Sequence, residues 1–149
     1  MSYWDTACLV KLYAPEPNSE VFEKYAASLP EQPSTGDFAR LEFWTVLRRK
    51  EAESTLAVGE AKQLLGVFDK NVTAGLLRLI PWNDQVTLEF ERVVETCLGR
   101  TPPLFIRTLD ALHLTAAITS GETELVTTDK RLREAALLFG LTVFPPPSP

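Results

Sequence analysis

Ser2-Tyr3-Trp4-Asp5-Thr6-Ala7-Cys8-Leu9-Val10-Lys11-Leu12-Tyr13 opens the chain and contains a unit of fold. Ser2 to Trp4 reads as a short strand and Asp5-Thr6 as a turn. Leu9, Val10, Leu12 and Tyr13 then form the apolar side of a helix that Pro15 and Pro17 stop. The alternation recurs downstream. Asn18 or Ser19 caps a helix through Val21, Phe22, Tyr25 and Ala26, and Gln32 to Thr35 supplies a second strand. From Asp37 a long helix carries Phe38, Leu41, Trp44, Val46 and Leu47; a further helix over 57–71 turns Leu64, Leu65, Val67 and Phe68 inward, so the two form a helical hairpin. Leu76 to Ile80 is a strand broken by Pro81, and Asn83 or Asp84 opens a helix that Gly99 closes. Thr108 starts a helix ended by Gly121, Glu124 to Thr127 is a strand, Lys130 to Phe139 a helix ended by Gly140, and Leu141 to Phe144 a last strand.

Short strands separated by helices predict an α/β fold in three layers, a short, mostly parallel sheet flanked by helices on both faces. The length of 149 residues suits one domain, taken as residues 1–145, followed by a proline-rich tail at 146–149 that cannot continue a central strand. No stretch approaches the roughly 18 apolar residues of a membrane span, and the first residues lack the basic and apolar regions of a signal peptide, so a cytoplasmic protein is expected. Cys8 and Cys97 lack metal-ligand spacing and read as small buried residues. Fifteen Lys and Arg against twenty Asp and Glu give a net charge of −5. That balance opposes nucleic-acid binding by overall charge, so any such activity must rest on a local site.

In parallel sheets, sites gather beyond the carboxyl ends of the strands, which singles out particular acids. Asp5 follows the first strand and Asp129 follows Leu125-Val126-Thr127, so both fall at the same sheet edge; Asp110 lies in the first turn of its helix, after the candidate cap Thr108. Each alone has a bland explanation, because aspartate caps helices and complements their dipole. Glu42 is different, since Phe38, Ala39 and Val46 lie one helical turn away and put its carboxylate along a partly apolar stripe. Acids converging to about 5 Å would repel by roughly 3 kcal/mol per pair at an effective dielectric near 20. A fold does not gather them for stability, and an all-oxygen set suits Mg²⁺ or Mn²⁺. On that reasoning, Asp110→Asn should leave the stability of the metal-free chain unchanged or higher.

Four segments together carry a resemblance: Tyr3-Trp4-Asp5-Thr6-Ala7-Cys8-Leu9-Val10-Lys11-Leu12-Tyr13, Ala39-Arg40-Leu41-Glu42-Phe43, Arg107-Thr108-Leu109-Asp110-Ala111-Leu112-His113-Leu114, and Leu125-Val126-Thr127-Thr128-Asp129-Lys130-Arg131-Leu132. In this order and spacing the chain resembles the PIN-domain endoribonucleases, and among them the VapC-type toxins of bacterial and archaeal toxin–antitoxin pairs. The resemblance implies a PIN-like three-layer fold and a catalytic and metal-binding set of Asp5, Glu42, Asp110 and Asp129. Thr6 matches the hydroxyl residue after the first aspartate, and Thr127 the one two positions before the last. Ala7 stands where the family frequently has serine, which removes one polar group beside the site.

What the resemblance implies mechanistically is attack on an RNA phosphate by a water on Mg²⁺, leaving 5′-phosphate and 3′-hydroxyl ends, in a homodimer paired with a VapB-type antitoxin. Lys11, Arg40, Arg107, Lys130 and Arg131 are the candidates for holding flanking RNA phosphates. His113, the sole histidine, is close enough along its helix to touch Asp110 but reads as a packed residue. The competing function is a non-catalytic PIN-like module that binds RNA or a protein partner. Haloacid-type phosphatases need a second aspartate two residues after the first, where this chain has Ala7. Receiver domains, which carry an acid pair after the first strand, fit no better.

Overall fold

A computed structural model describes residues 1–146. Its sheet has five strands, β1 (Ser2–Trp4), β2 (Ser34–Gly36), β3 (Arg78–Ile80), β4 (Glu124–Val126) and β5 (Thr142–Phe144), in the order β3-β2-β1-β4-β5. All four neighbouring pairs are parallel, so the sheet is wholly rather than mostly parallel. The intervening helices are α1 (Thr6–Val10), α2 (Ser19–Ser28), α3 (Ala39–Ala52), α4 (Glu60–Thr73), α5 (Asp84–Gly99), α6 (Thr108–Thr119) and α7 (Lys130–Leu138).

The pleat creates the three layers. Successive strand residues point to opposite faces, so Tyr3 and Leu125 pack with Val93, Leu114 and Leu132 of α5, α6 and α7 on one side. Trp4 and Val126 pack with Leu9, Phe22, Phe43, Leu47 and Phe68 of α1 to α4 on the other. Within that second layer α3 and α4 pack together as expected, through Phe43, Leu47, Leu64, Leu65 and Phe68, but Val67, expected to turn inward, and Leu41 face solvent. Cys8 and Cys97 are both buried and reduced. Among the described residues, no helix is long and apolar enough to cross a membrane.

Helix ends follow local chemistry with some shifts. Asn83 caps α5 by accepting from the Val86 N–H at 3.1 Å. Gly140, with φ of +81°, takes the left-handed backbone that stops α7. Asn18 sits at the start of α2 with φ of +68° and makes no side-chain cap bond. Thr108 is not a cap either: it lies inside α6, and Arg107 occupies the cap position with no side-chain cap bond, since a guanidinium carries only donors. Of the tail expected at 146–149, residues 147–149 lie outside the described residues.

Because every strand runs the same way, Asp5 after β1, Asp37 after β2 and Thr127 to Asp129 after β4 all emerge along one edge.

Candidate active site

Asp5 leaves β1 still held in the sheet, its N–H donating to Val126 O at 3.1 Å. Its Oδ1 accepts from the Cys8 N–H at 2.7 Å, capping α1, and its Oδ2 accepts from the Thr127 hydroxyl. Burial pushes the Asp5 carboxyl above the usual carboxylate range, against the charge of His113 and the hydrogen bonds from Thr127 and Cys8. Thr127 also accepts the Asp129 N–H at 3.1 Å, so one hydroxyl joins the two aspartates. Asp129 in turn caps α7, its Oδ1 accepting from the N–H groups of Arg131 and Leu132, both at 2.9 Å. The capping explanation therefore holds for Asp5 and Asp129, and each still presents its carboxylate to a shared cavity.

Glu42, in the first turn of α3, is held from two directions. Thr6 donates its hydroxyl to Glu42 Oε1 at 2.9 Å, and His113 Nε2 lies 2.7 Å from the same oxygen. Burial raises the Glu42 pKa, but the His113 hydrogen bond and charge, with the Thr6 bond, outweigh it and hold the carboxyl below its ordinary value. His113 is buried, with its Nδ1 2.8 Å from Tyr3 Oη, which itself accepts the Gly36 N–H at 2.8 Å. His113 therefore bridges the two elements, its Nε2–H donating to Glu42 and its Nδ1 hydrogen-bonded to the Tyr3 hydroxyl. His113 thus reaches Glu42 on α3, and not Asp110 on its own helix.

Asp110 is buried in the first turn of α6, and Arg107 grips it. Arg107 Nε donates to Asp110 Oδ2 at 2.7 Å, Nη2 lies 3.5 Å from Asp110 Oδ1, and the same Nη2 donates to Asp129 Oδ2 at 3.0 Å. Asp110 is accordingly not under uncompensated repulsion, and the expectation that Asp110→Asn costs no stability without metal gives way to a small loss.

Asp5, Glu42, Asp110 and Asp129 all line one cavity of about 410 Å³, together with Thr6, Arg107 and His113. The four acids selected from the sequence are therefore brought together. Among the described residues, however, no three His, Cys, Asp or Glu side chains stand close enough to share a metal ion. The cation in place is the Arg107 guanidinium. The donor set itself fits a hard divalent ion: carboxylates with hydroxyls beside them, and hydrogen bonds to Glu42 that fall on Oε1 and leave Oε2 uncommitted among the described residues.

The candidate phosphate-binding cations divide. Lys11 is committed to Glu16 at 2.9 Å, and Arg40 forks onto Asp69 with both contacts at 2.7 Å. Lys130 and Arg131 stand exposed beside Asp129. Sequence reasoning offered Arg107 for RNA phosphates and missed its grips on Asp110 and Asp129, and it missed the Tyr3–His113–Glu42 chain. The i, i+3 spacing of Arg107 and Asp110 is the signal that could have found the first contact, while the others depend on packing between distant elements.

The sequence pattern of the PIN domain matches residues 2–138, and the chain belongs to the PIN domain family. Within it, the chain is similar to the ribonuclease VapC35 of Mycobacterium tuberculosis, 30% identical over 151 residues that cover 98% of this chain and 97% of the relative. Ribonuclease VapC46 of the same species is 27% identical over 146 residues, covering 97% and 96%. Among solved structures, M. tuberculosis VapC20, a toxin that cleaves the sarcin–ricin loop, matches with a TM-score of 0.67 at 15% identity, over 91% of this chain and 95% of that one. VapBC2 of Rickettsia felis, solved with a DNA fragment from its promoter, matches with a TM-score of 0.65 at 16% identity, over 96% and 97%. At such identities these structures report a shared fold.

Proposed function

We propose that the chain is a Mg²⁺-dependent endoribonuclease, the toxin of a VapBC-type pair, that hydrolyses RNA phosphodiester bonds at Asp5, Glu42, Asp110 and Asp129, with residues 1–145 acting as one domain. The observation that carries this reading is the cavity lined by four carboxylates from distant parts of a chain akin to VapC ribonucleases. Asp5 and Asp110, the two most buried, would hold the ion, with Glu42 and Asp129 completing its surroundings; Mn²⁺ has the same oxygen preference. When bound, a divalent ion supplies positive charge that acidifies water and offsets the negative charge growing on the phosphate.

The chain's own residues do the rest. Thr127 fixes Asp5 against Asp129, and the Thr6 and His113 bonds keep Glu42 ionised and aimed, so that Oε2 is available to orient the attacking water. A VapB-type antitoxin, the partner class implied by the VapBC2 match, would cover the acidic cavity with a basic group. Leu109, half exposed in the hollow it shares with Glu42, Arg107 and Asp110, offers such a partner apolar contact. A homodimer in the cytoplasm completes the reading.

One observation favours the competing module that binds RNA or a partner without cutting: Arg107 already pairs Asp110 and Asp129. The deciding experiment incubates the purified chain, freed of any antitoxin, with total RNA and Mg²⁺, beside Asp5→Asn and with or without EDTA. Cleavage by the wild type alone, stopped by EDTA, is expected. Cleavage by both proteins, or undiminished cleavage in EDTA, overturns the metal mechanism at the four-acid site; no cleavage by either favours the binding module.

A further inference from the structure

Arg107 is the one guanidinium in a cavity of four carboxylates, and its pairing is unlike that of the other arginines. Arg40 gives both arms of its fork to a single acid, Asp69, at 2.7 Å each. Arg107 divides its arms: Nε to Asp110 Oδ2 at 2.7 Å and Nη2 to Asp129 Oδ2 at 3.0 Å, with the remaining contact to Asp110 stretched to 3.5 Å. These are two of the four carboxylates assigned above to a divalent ion, so guanidinium and ion need the same oxygens. The acids are sheltered, with side-chain exposures of 11% for Asp110 and 33% for Asp129, while the Arg107 side chain is 64% exposed. It reaches in from solvent, from the cap position of α6, and turning it outward disturbs no packed core. Exposed ion pairs of this kind are weakly held.

We propose that Arg107 is a displaceable resident cation, which neutralises Asp110 and Asp129 until a divalent ion takes their oxygens and then presents its guanidinium to an RNA phosphate at the mouth of the cavity. This rests on the four-acid site of the proposed function. A guanidinium released from a carboxylate fork keeps the planar two-pronged geometry that suits a phosphate, and its fixed anchor on α6 keeps it beside the cavity it lines. Strong opposite charge beside the acids would otherwise oppose the ion permanently. A side chain that leaves removes that opposition and adds a substrate contact.

Replacing Arg107 should therefore change two affinities in opposite directions. Calorimetric titration with MgCl₂ compares the wild-type chain with Arg107→Gln, and with Lys130→Gln as a control that removes a neighbouring positive charge held in no pair with Asp110. Affinity for a single-stranded RNA oligonucleotide is then measured in saturating Ca²⁺. Arg107→Gln is expected to bind Mg²⁺ about tenfold more tightly, the scale of two exposed ion pairs, and RNA about fivefold more weakly, the scale of one phosphate contact. A structural arginine would weaken both when removed. Unchanged or weaker Mg²⁺ binding, equal tightening by Lys130→Gln, or unchanged RNA affinity overturns the proposal. Neither measurement uses catalysis, so failure of the nuclease reading is seen separately, as absence of Mg²⁺-dependent RNA cleavage by the wild type.

Discussion

Two carboxylate sites in this molecule invert each other. Glu16 lies between two lysines, with Lys11 Nζ 2.9 Å from Oε2 and Lys50 Nζ on Oε1, and all three side chains are at most 21% exposed. Burial alone would raise the Glu16 pKa, but the two lysines outweigh it and hold the carboxyl below its usual range. At the sheet edge the ratio is reversed: four carboxylates share one guanidinium and one imidazole. There burial wins at Asp5, which is pushed up. The same chemical group is a staple where cations outnumber it; where they do not, it is the group that the proposed function assigns to a divalent ion. Four sheltered carboxylates around two cationic or imidazole groups are more than helix capping requires, which is why the cluster points to function.

The contrast is tested most severely by Asp5→Asn. It should lower RNA cleavage by about 100-fold or more, while the melting temperature of the metal-free chain stays level or rises because a buried charge is gone. A lower melting temperature would make Asp5 chiefly a cap for α1. Next in size, Thr127→Val removes the hydroxyl that joins Asp5 to Asp129 and should weaken Mg²⁺ affinity about tenfold, read by titration; unchanged affinity would mean the carboxylates need no such support.

On the opposite side, Glu16→Gln should cost about 2 kcal/mol at neutral pH, since it leaves two largely sheltered lysines without a carboxylate between them. The folded pKa of Glu16 is lowered, so its stabilisation is complete above the ordinary carboxylate pKa and lost as pH falls through the folded value. Urea unfolding of wild type and variant should converge in acid, and a gap that persists there would mean the glutamate works by packing. The smallest effect belongs to Asp110→Asn without metal. Arg107 loses one exposed pair, and a loss below about 1 kcal/mol is expected; a gain would restore the picture of acids under net repulsion.

Much of this was legible in the chain itself, for local reasons. Strand and helix limits are written in short-range pattern and in Pro and Gly punctuation, so the β1–α1 unit and the order of elements follow from a linear reading. Asp5 and Asp129 were identifiable because a parallel sheet sends residues after its strands to one edge, and Asp110 because it opens a helix. Three features were not legible. The second arm of Arg107 reaches α7, His113 reaches α3, and the Tyr3 hydroxyl sits between His113 and Gly36, so all three depend on how distant elements pack. The pairing of Arg40 was hidden for the same cause, because its partner Asp69 lies on α4.

Crystals of the chain soaked in Mn²⁺ and measured for anomalous scattering test the central claim most directly. The account predicts a peak inside the cavity, in contact with carboxylate oxygens of Asp5 and Asp110, with Arg107 turned away from Asp110. A cavity without anomalous density at saturating Mn²⁺, with Arg107 still gripping Asp110 and Asp129, would contradict it.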